Sequence, residues 1–327
     1  MKREFGQLSH WWNGSFEQVK GYFAMRKYNG WSALWDGGIT TGMTTEKIPW
    51  YRKKKLQMST GLWSLGRDNN PDVVNAPAEF IAKLPQGIPV HGELWYKDRL
   101  DIIKTTCGTK RWFDPMWGNI IFMAFNIKPY ISWFESTLDY EVWLTQSKIP
   151  DTFDDYNYTK SYYHLQGHIE SYPNSVLNLA VAIKINNVED LKQIQETSVK
   201  HKWEGLIFAN PNGKYQCGRS YNSLKWKAKC DNKAIILDYV EGKTGSRISK
   251  VASIKAHLVW DEQILSLFGG QPWMIGKEVI FKIAGLDGDE IEWDMCKKKY
   301  PIGEVINFTF FGVTHLGVPQ SCNVKRD

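Results

Sequence analysis

No apolar run in this sequence approaches the roughly eighteen residues that a membrane span needs, and the opening Met1-Lys2-Arg3-Glu4 lacks an apolar signal core. Both absences argue against a spanning or exported chain, so a cytoplasmic protein without membrane partners is expected. Cysteine is scarce. The five residues Cys107, Cys217, Cys230, Cys296 and Cys322 are odd in number and include no Cys-x-x-Cys pair. That argues against a disulfide framework or a zinc site and fits a reducing compartment. Neither an internal repeat nor a low-complexity linker interrupts the chain. Charge of one sign is only modestly in excess, with 41 Lys and Arg against 35 Asp and Glu leaving +6. This balance suits a polyanionic partner and an ordinary basic protein equally well.

What is present points to two folded domains. The chain has 327 residues, enough for two cores, and its 43% hydrophobic content is ordinary for a globular protein. Sixteen Trp is unusually many, and most must build core or cleft walls. The stretch Arg26-Lys27-Tyr28-Asn29-Gly30-Trp31 places a lysine between two apolar, aromatic segments that read as strands, with Gly30 as the flexible bend. By itself Lys-x-x-Gly is weak, since it arises by chance about once or twice in a chain this long.

Around it the elements read in order. Ser15 is a candidate cap for a short helix or turn at 16–20. Arg52, Lys53, Lys54 and Lys55 form a basic run in a loop, which is either solvated surface or a phosphate-holding patch. Thr60 to Arg67 reads as a strand end and a glycine turn presenting Arg67, and 75–84 reads as a helix with proline near its start. Pro89 to Tyr96 is a strand carrying Glu93 among apolar residues, a costly placement unless the acid meets a cation or donor. Gly118 to Ile127 is the most hydrophobic strand, with Phe125 near its end. Residues 135–180 read as loops with short strands. Asn187 caps an expected helix whose buried face is Leu191, Ile194 and Val199. A strand follows at 203–208, opened by Glu204, and strand alternation over 223–229 points Lys225 and Lys227 to one face. Beyond about 233 the texture changes to short strands at 234–240, 251–260, 278–283 and 305–310, divided by turns. These fit a small antiparallel barrel.

The ordered set of Lys-x-x-Gly, Gly-Glu-Leu-Trp, an apolar strand ending Phe-Asn, Glu-Gly-Leu-Ile and Leu-Lys-x-Lys, followed by a small barrel, resembles the ATP-dependent DNA ligases of the covalent nucleotidyltransferase superfamily, above all the compact phage and viral ones. The resemblance runs from about residue 20 to the end. It implies an α+β chain: an adenylation domain of antiparallel sheets and helices over 1–232, then an OB-fold β-barrel domain over 233–327. ATP and then nicked duplex DNA would bind in the cleft between them. It implies a monomer, in the host cytoplasm if the source is viral, without a DNA-encircling domain ahead of Lys27. Lys27 would be the nucleophile that becomes adenylylated. Glu93 would serve the ribose or a metal, Phe125 would stack on adenine, Glu204 would bind metal, Lys225 and Lys227 would contact the triphosphate, and Arg67 would be a looser match to a further nucleotide-binding arginine. The chemistry suits these types: lysine attacks phosphorus only as the neutral amine, so its pKa must fall from about 10.4, and neighbouring cations and Mg2+ favour that. Two acids offer hard oxygens to magnesium.

Four positions depart from the family pattern. Asn29 stands for the usual aspartate, Ser32 for an arginine, His91 for an aspartate, and Asn126 for the aspartate after the aromatic. The closing segment also lacks the usual Pro-Arg. The losses at Asn29 and Ser32 remove one charge of each sign and are expected to offset each other. An RNA ligase or a capping guanylyltransferase on the same scaffold, or a catalytically silent nucleic-acid-binding relative, are the competing readings.

Overall fold

A computed structural model describes residues 5–66, 70–108, 114–134, 139–141, 143, 152–173, 176–259, 276, 278–314 and 316–326. The chain divides into two units, one of Met1–Ile194 with Gly205–Trp226, the other of Gln195–Glu204 with Lys227–Asp327.

The first unit holds two sheets. One runs in the order β1 (Gln7–Trp11), β11 (Gly218–Trp226), β10 (Gly205–Ala209), β2 (Phe23–Lys27), β9 (Ala182–Lys184). The other runs β5 (Pro71–Val73), β4 (Leu62–Leu65), β3 (Trp31–Asp36), β6 (Pro89–Trp95), β7 (Ile121–Ile127), β8 (Leu177–Leu179). Pairing is antiparallel except between β1 and β11 and between β7 and β8. All four residues of β4 are buried, as a strand covered on both faces requires. Tryptophan supplies much of this core: Trp35, Trp63 and Trp133 are fully buried, and the Trp50 ring packs on Trp133 at 4.9 Å.

Of the α-helices, α1 (Phe16–Val19) and α2 (Ala78–Ile81) are single turns. Ser15 makes no side-chain cap bond, and the expected longer helix at 75–84 shrinks to a turn begun by Pro77. α3 (Leu100–Gly108) follows β6. The region expected to be loops carries a 14-residue helix, α4 (Tyr158–Ser171), packed on β7. Its Asn157 caps the Lys160 N–H at 2.9 Å, and Tyr158, Ser161 and Leu165 form the buried i, i+3, i+7 stripe. Two of those three are not aliphatic, so the stripe is faint in the sequence. In α5 (Val188–Lys200) Asn187 caps the Asp190 N–H at 2.9 Å, as expected. Leu191 and Ile194 are buried, but Ser198 completes the face and Val199 is 46% exposed. Seven residues bring a helix back to within about 20° of its starting direction, whereas the eighth has rotated onward.

The second unit contains an antiparallel sheet ordered β14 (Glu278–Ile283), β13 (Val251–Val259), β12 (Cys230–Glu241), β15 (Val305–Phe310), β16 (Asn323–Val324), with α6 (Trp293–Lys299) beside it in sequence. Alternation is clear in β14, where Val279, Phe281 and Ile283 face the core and Glu278, Ile280 and Lys282 face water. Register shifts in the β12–β13 pair bend the sheet. One bridge joins its two edges, with Ala284 N–H donating to Cys322 O and Val324 N–H to Ala284 O, both at 2.9 Å. The five cysteines are free, and among the described residues no helix is long and apolar enough to cross a membrane.

Asp36, at the end of β3, is wholly buried. Thr40 Oγ1, Trp63 Nε1 (3.0 Å) and Gly38 N (2.9 Å) donate to its carboxylate. Burial outweighs these bonds and raises its pKa from 3.8 to about 6. The folded state therefore holds this proton more tightly than the unfolded chain does. Stability from this group is present in full below pH 3.8 and is lost as pH rises to about 6, a fall of about 3 kcal/mol. Asp36→Asn, which keeps an acceptor and cannot ionise, is expected to remove that fall in urea unfolding followed from pH 4 to 7. Equal slopes in the two proteins would show that Asp36 does not titrate this way.

Candidate active site

β2 and β3 are consecutive in the chain but belong to different sheets, so Tyr28, Asn29 and Gly30 carry the backbone from one sheet to the other. Lys27 is the last residue of β2 and faces Gly205 of β10. Gly30 is not the flexible bend expected of it. Its φ is not left-handed, and a Cβ there would lie 2.3 Å from Leu94 O and 2.8 Å from Glu93 Cγ. Glycine is needed for close approach to β6, where the Gly30 N–H donates to Glu93 Oε1 at 3.0 Å. That bond ties the acid to the segment that presents the lysine, and it answers the cost of an acid on an apolar strand.

Asp98 holds the other side of the connector. Its carboxylate pairs with Arg26 and accepts from Trp95 Nε1 at 2.8 Å and from Asn29 N at 3.3 Å. Asn29 Nδ2 donates to Asp98 O at 3.2 Å. The guanidinium of Arg26 lies over Tyr28 at 4.9 Å and over Trp95 at 5.4 Å. Ser32 goes elsewhere. Its hydroxyl meets His91 Nε2 at 3.4 Å, so Asn29 and Ser32 find separate partners. Gln7 N–H donates to the Tyr215 hydroxyl at 3.0 Å, and that hydroxyl meets His91 Nδ1 at 2.9 Å. Burial, and then the Lys128 ammonium, lower the His91 pKa to about 3. The two departures from the charged pattern thus meet as a neutral pair.

Register explains Phe125. His91 pairs with Asn126 and Gly92 with Ala124, leaving Phe125 as the extra residue of a β-bulge. A bulge re-aims side chains, and here Phe125 and Asn126, neighbours that a regular strand sends to opposite faces, line one cavity. Gly92 stands opposite the bulge, where a Cβ would lie 2.2 Å from Met123 O.

The cavity has a volume of about 250 Å³, and its walls include Lys27, Glu93, Phe125, Asn126, Ile207 and Lys225. The Tyr28 and Phe125 rings lie 6.2 Å apart and within 24° of parallel, and both line it. Lys225, on β11, also lies under an exposed ring, its Nζ 4.7 Å from the centre of Trp11. Four of the residues singled out from the sequence, Lys27, Glu93, Phe125 and Lys225, therefore share one wall system. Glu204 and Lys227 do not line it. They pair with each other at 2.6 Å in the second unit. Arg67 lies outside the described residues. Arg52, Lys53, Lys54 and Lys55 are exposed, with Lys53 paired to Asp72 at 2.7 Å. Among the described residues no group of three or more His, Cys, Asp or Glu gathers to hold a metal.

Sequence reading missed Asp98, Tyr215, Trp11 and the bulge. Asp98 stands just after the glutamate motif in a left-handed turn with Lys97 (φ 58° and 45°), a conformation uncommon for residues other than glycine. Nothing in the sequence marks the others.

No protein-family model matches this sequence, and no curated protein matches it. Solved structures do. A structure from an analysis of Lig E DNA ligases, described as binding DNA with a minimal scaffold, superimposes with a TM-score of 0.67 at 21% identity over 98% of both chains. Another, called Pmar-Lig_PreS3, gives a TM-score of 0.67 at 13% identity over 99% of this chain and 67% of that one. This chain therefore has the fold of the Lig E DNA ligases.

Proposed function

We propose that this protein is an ATP-dependent DNA ligase that seals nicks in duplex DNA through a lysyl-AMP intermediate. The observation that carries the reading is one cavity walled by Lys27, Glu93, Phe125 and Lys225, which come from β2, β6, β7 and β11. The shared fold of the Lig E DNA ligases supports it.

The neutral amine of Lys27 attacks the α-phosphorus of ATP, a P–N bond forms, and pyrophosphate leaves with the bonding pair. Lys225 neutralises phosphate charge and disfavours a second ammonium beside it. Phe125 and Tyr28 offer aromatic faces to the base, and Glu93, held by the Gly30 N–H, faces the sugar or a metal. Magnesium, when bound, supplies charge neutralisation on the phosphates and keeps most of its waters, so few protein oxygens suffice. Glu93 fits that demand, whereas the Glu204 carboxylate is engaged by Lys227 at 2.6 Å. AMP then passes to the 5′-phosphate of a nick, the adjacent 3′-hydroxyl attacks that phosphate, and AMP leaves.

In this reading residues 1–232 are the adenylation domain and 233–327 an OB-fold, the latter supported by the five-stranded sheet whose edges meet at Ala284 and Asn323. The protein acts as a monomer in the cytoplasm.

Incubating the protein with magnesium and α-labelled ATP or GTP tests the reading. An acid-labile labelled band with ATP is expected, followed by sealing of a nicked DNA duplex. A band with GTP alone would indicate a capping enzyme, and sealing confined to RNA nicks an RNA ligase. No band from AMP-free protein would leave a binding relative.

The basic loop carries a further expectation. Replacing Lys53, Lys54 and Lys55 together by alanine should weaken nicked-duplex binding and lower the slope of log affinity against log salt by about two. Each phosphate contact contributes roughly 0.9, and Lys53 is engaged by Asp72. An unchanged slope would make the run plain surface.

A further inference from the structure

Asn126 is 92% buried by its 8% exposure, it lines the cavity beside Phe125, and its carbonyl oxygen has no hydrogen-bond partner. A buried acceptor without a donor costs about 1–3 kcal/mol, so its persistence calls for a ligand that restores the bond. The bulge at Phe125 gives the residue its place, because it brings an aromatic face and an amide, adjacent in sequence, to one cavity. A planar base lying against Phe125 would present its edge to that amide. We propose that Asn126 is the residue that selects adenine: its side-chain carbonyl accepts from the 6-amino group of the base.

The chemistry discriminates for a simple reason. Adenine carries a donor at position 6, where guanine and hypoxanthine carry a carbonyl acceptor. Two acceptors facing each other leave the amide oxygen without a donor. Nearby groups do not supply the bond themselves. Ser32 meets His91, the Gly30 N–H is taken by Glu93, and Tyr215 serves His91.

The proposal rests on the nucleotide-binding reading above, and binding measured without turnover separates the two. Protein freed of AMP is titrated calorimetrically with ATP, with ITP and with purine riboside triphosphate, which lacks the 6-substituent. Wild type is expected to prefer ATP over both by about 10- to 100-fold, the discrimination typical of a base-edge contact. Asn126→Leu, close in volume, is expected to bring the three affinities within about threefold of one another. Asn126→Gln should retain part of the preference. Adenine preference that survives Asn126→Leu overturns the assignment to Asn126. Loss of all nucleotide binding in wild type overturns the nucleotide-binding reading instead. Should Asn126→Leu fail to fold, Asn126→Ser serves in its place, with the same expected loss of preference and the same overturning result.

Discussion

Protein carrying Lys27→Ala, mixed with magnesium and α-labelled ATP, is expected to give no labelled band, a loss of at least about a thousandfold, because the nucleophile proposed to form the covalent bond would have no substitute in the site. Lys225 is the other lysine of the cavity wall, and it is held beneath Trp11 rather than at the end of β2. Lys27→Arg separates charge from nucleophilicity: the guanidinium keeps the positive charge but stays protonated at any working pH. It should bind ATP within a few-fold of wild type and still take no label. Both variants should seal a nick whose 5′-phosphate is already adenylylated far better than they seal an ordinary nick, since the later steps need no lysyl adduct. Normal labelling of Lys27→Ala would remove the residue from its assigned role.

The second large effect is at Gly30. Alanine there puts a methyl 2.3 Å from Leu94 O, a backbone atom fixed by pairing within the sheet, so the connector must move. Overpacking of this kind costs about 1–3 kcal/mol. The functional cost is larger than the stability cost, because the connector carries Lys27 at one end and the donor to Glu93 at the other. A displacement of about 1 Å between reacting groups is worth roughly a hundredfold in rate. Gly30→Ala is therefore expected to fold and to lose about a hundredfold in label uptake. Gly118→Ala, which meets nothing within 4 Å, is the control and should label normally. Equal labelling in the two would show that close packing against β6 does not position the lysine.

Much of the site was readable because its residue types are rare where they stand. Lys27 between aromatic strands and Glu93 within an apolar one each break the local pattern, and both line the cavity. The short strands after residue 233 were equally legible, since alternation such as that of β14 has a period of two and needs no distant information. α4 was not, because Tyr158, Ser161 and Leu165 make a stripe of mixed chemistry that does not register as apolar. Val199 was misplaced by one helical position, which a tertiary contact decides and composition does not. At Gly30 the sequence suggests a flexible bend, whereas the structure shows a close approach; both call for glycine, and only the neighbouring strand distinguishes them.

Residue order alone determined which chemical groups this protein owns and which strands present them, because strand periodicity and the placement of a charge among apolar neighbours are local properties. The tertiary structure decided which of those groups meet. It put β2 and β3 in different sheets, shifted register at Phe125 so that Asn126 shares its cavity, joined Ser32 to His91, and paired Glu204 with Lys227. The physical reason is that sheet membership and register follow from packing between residues distant in the chain, and a one-residue slip reverses the face of every side chain beyond it.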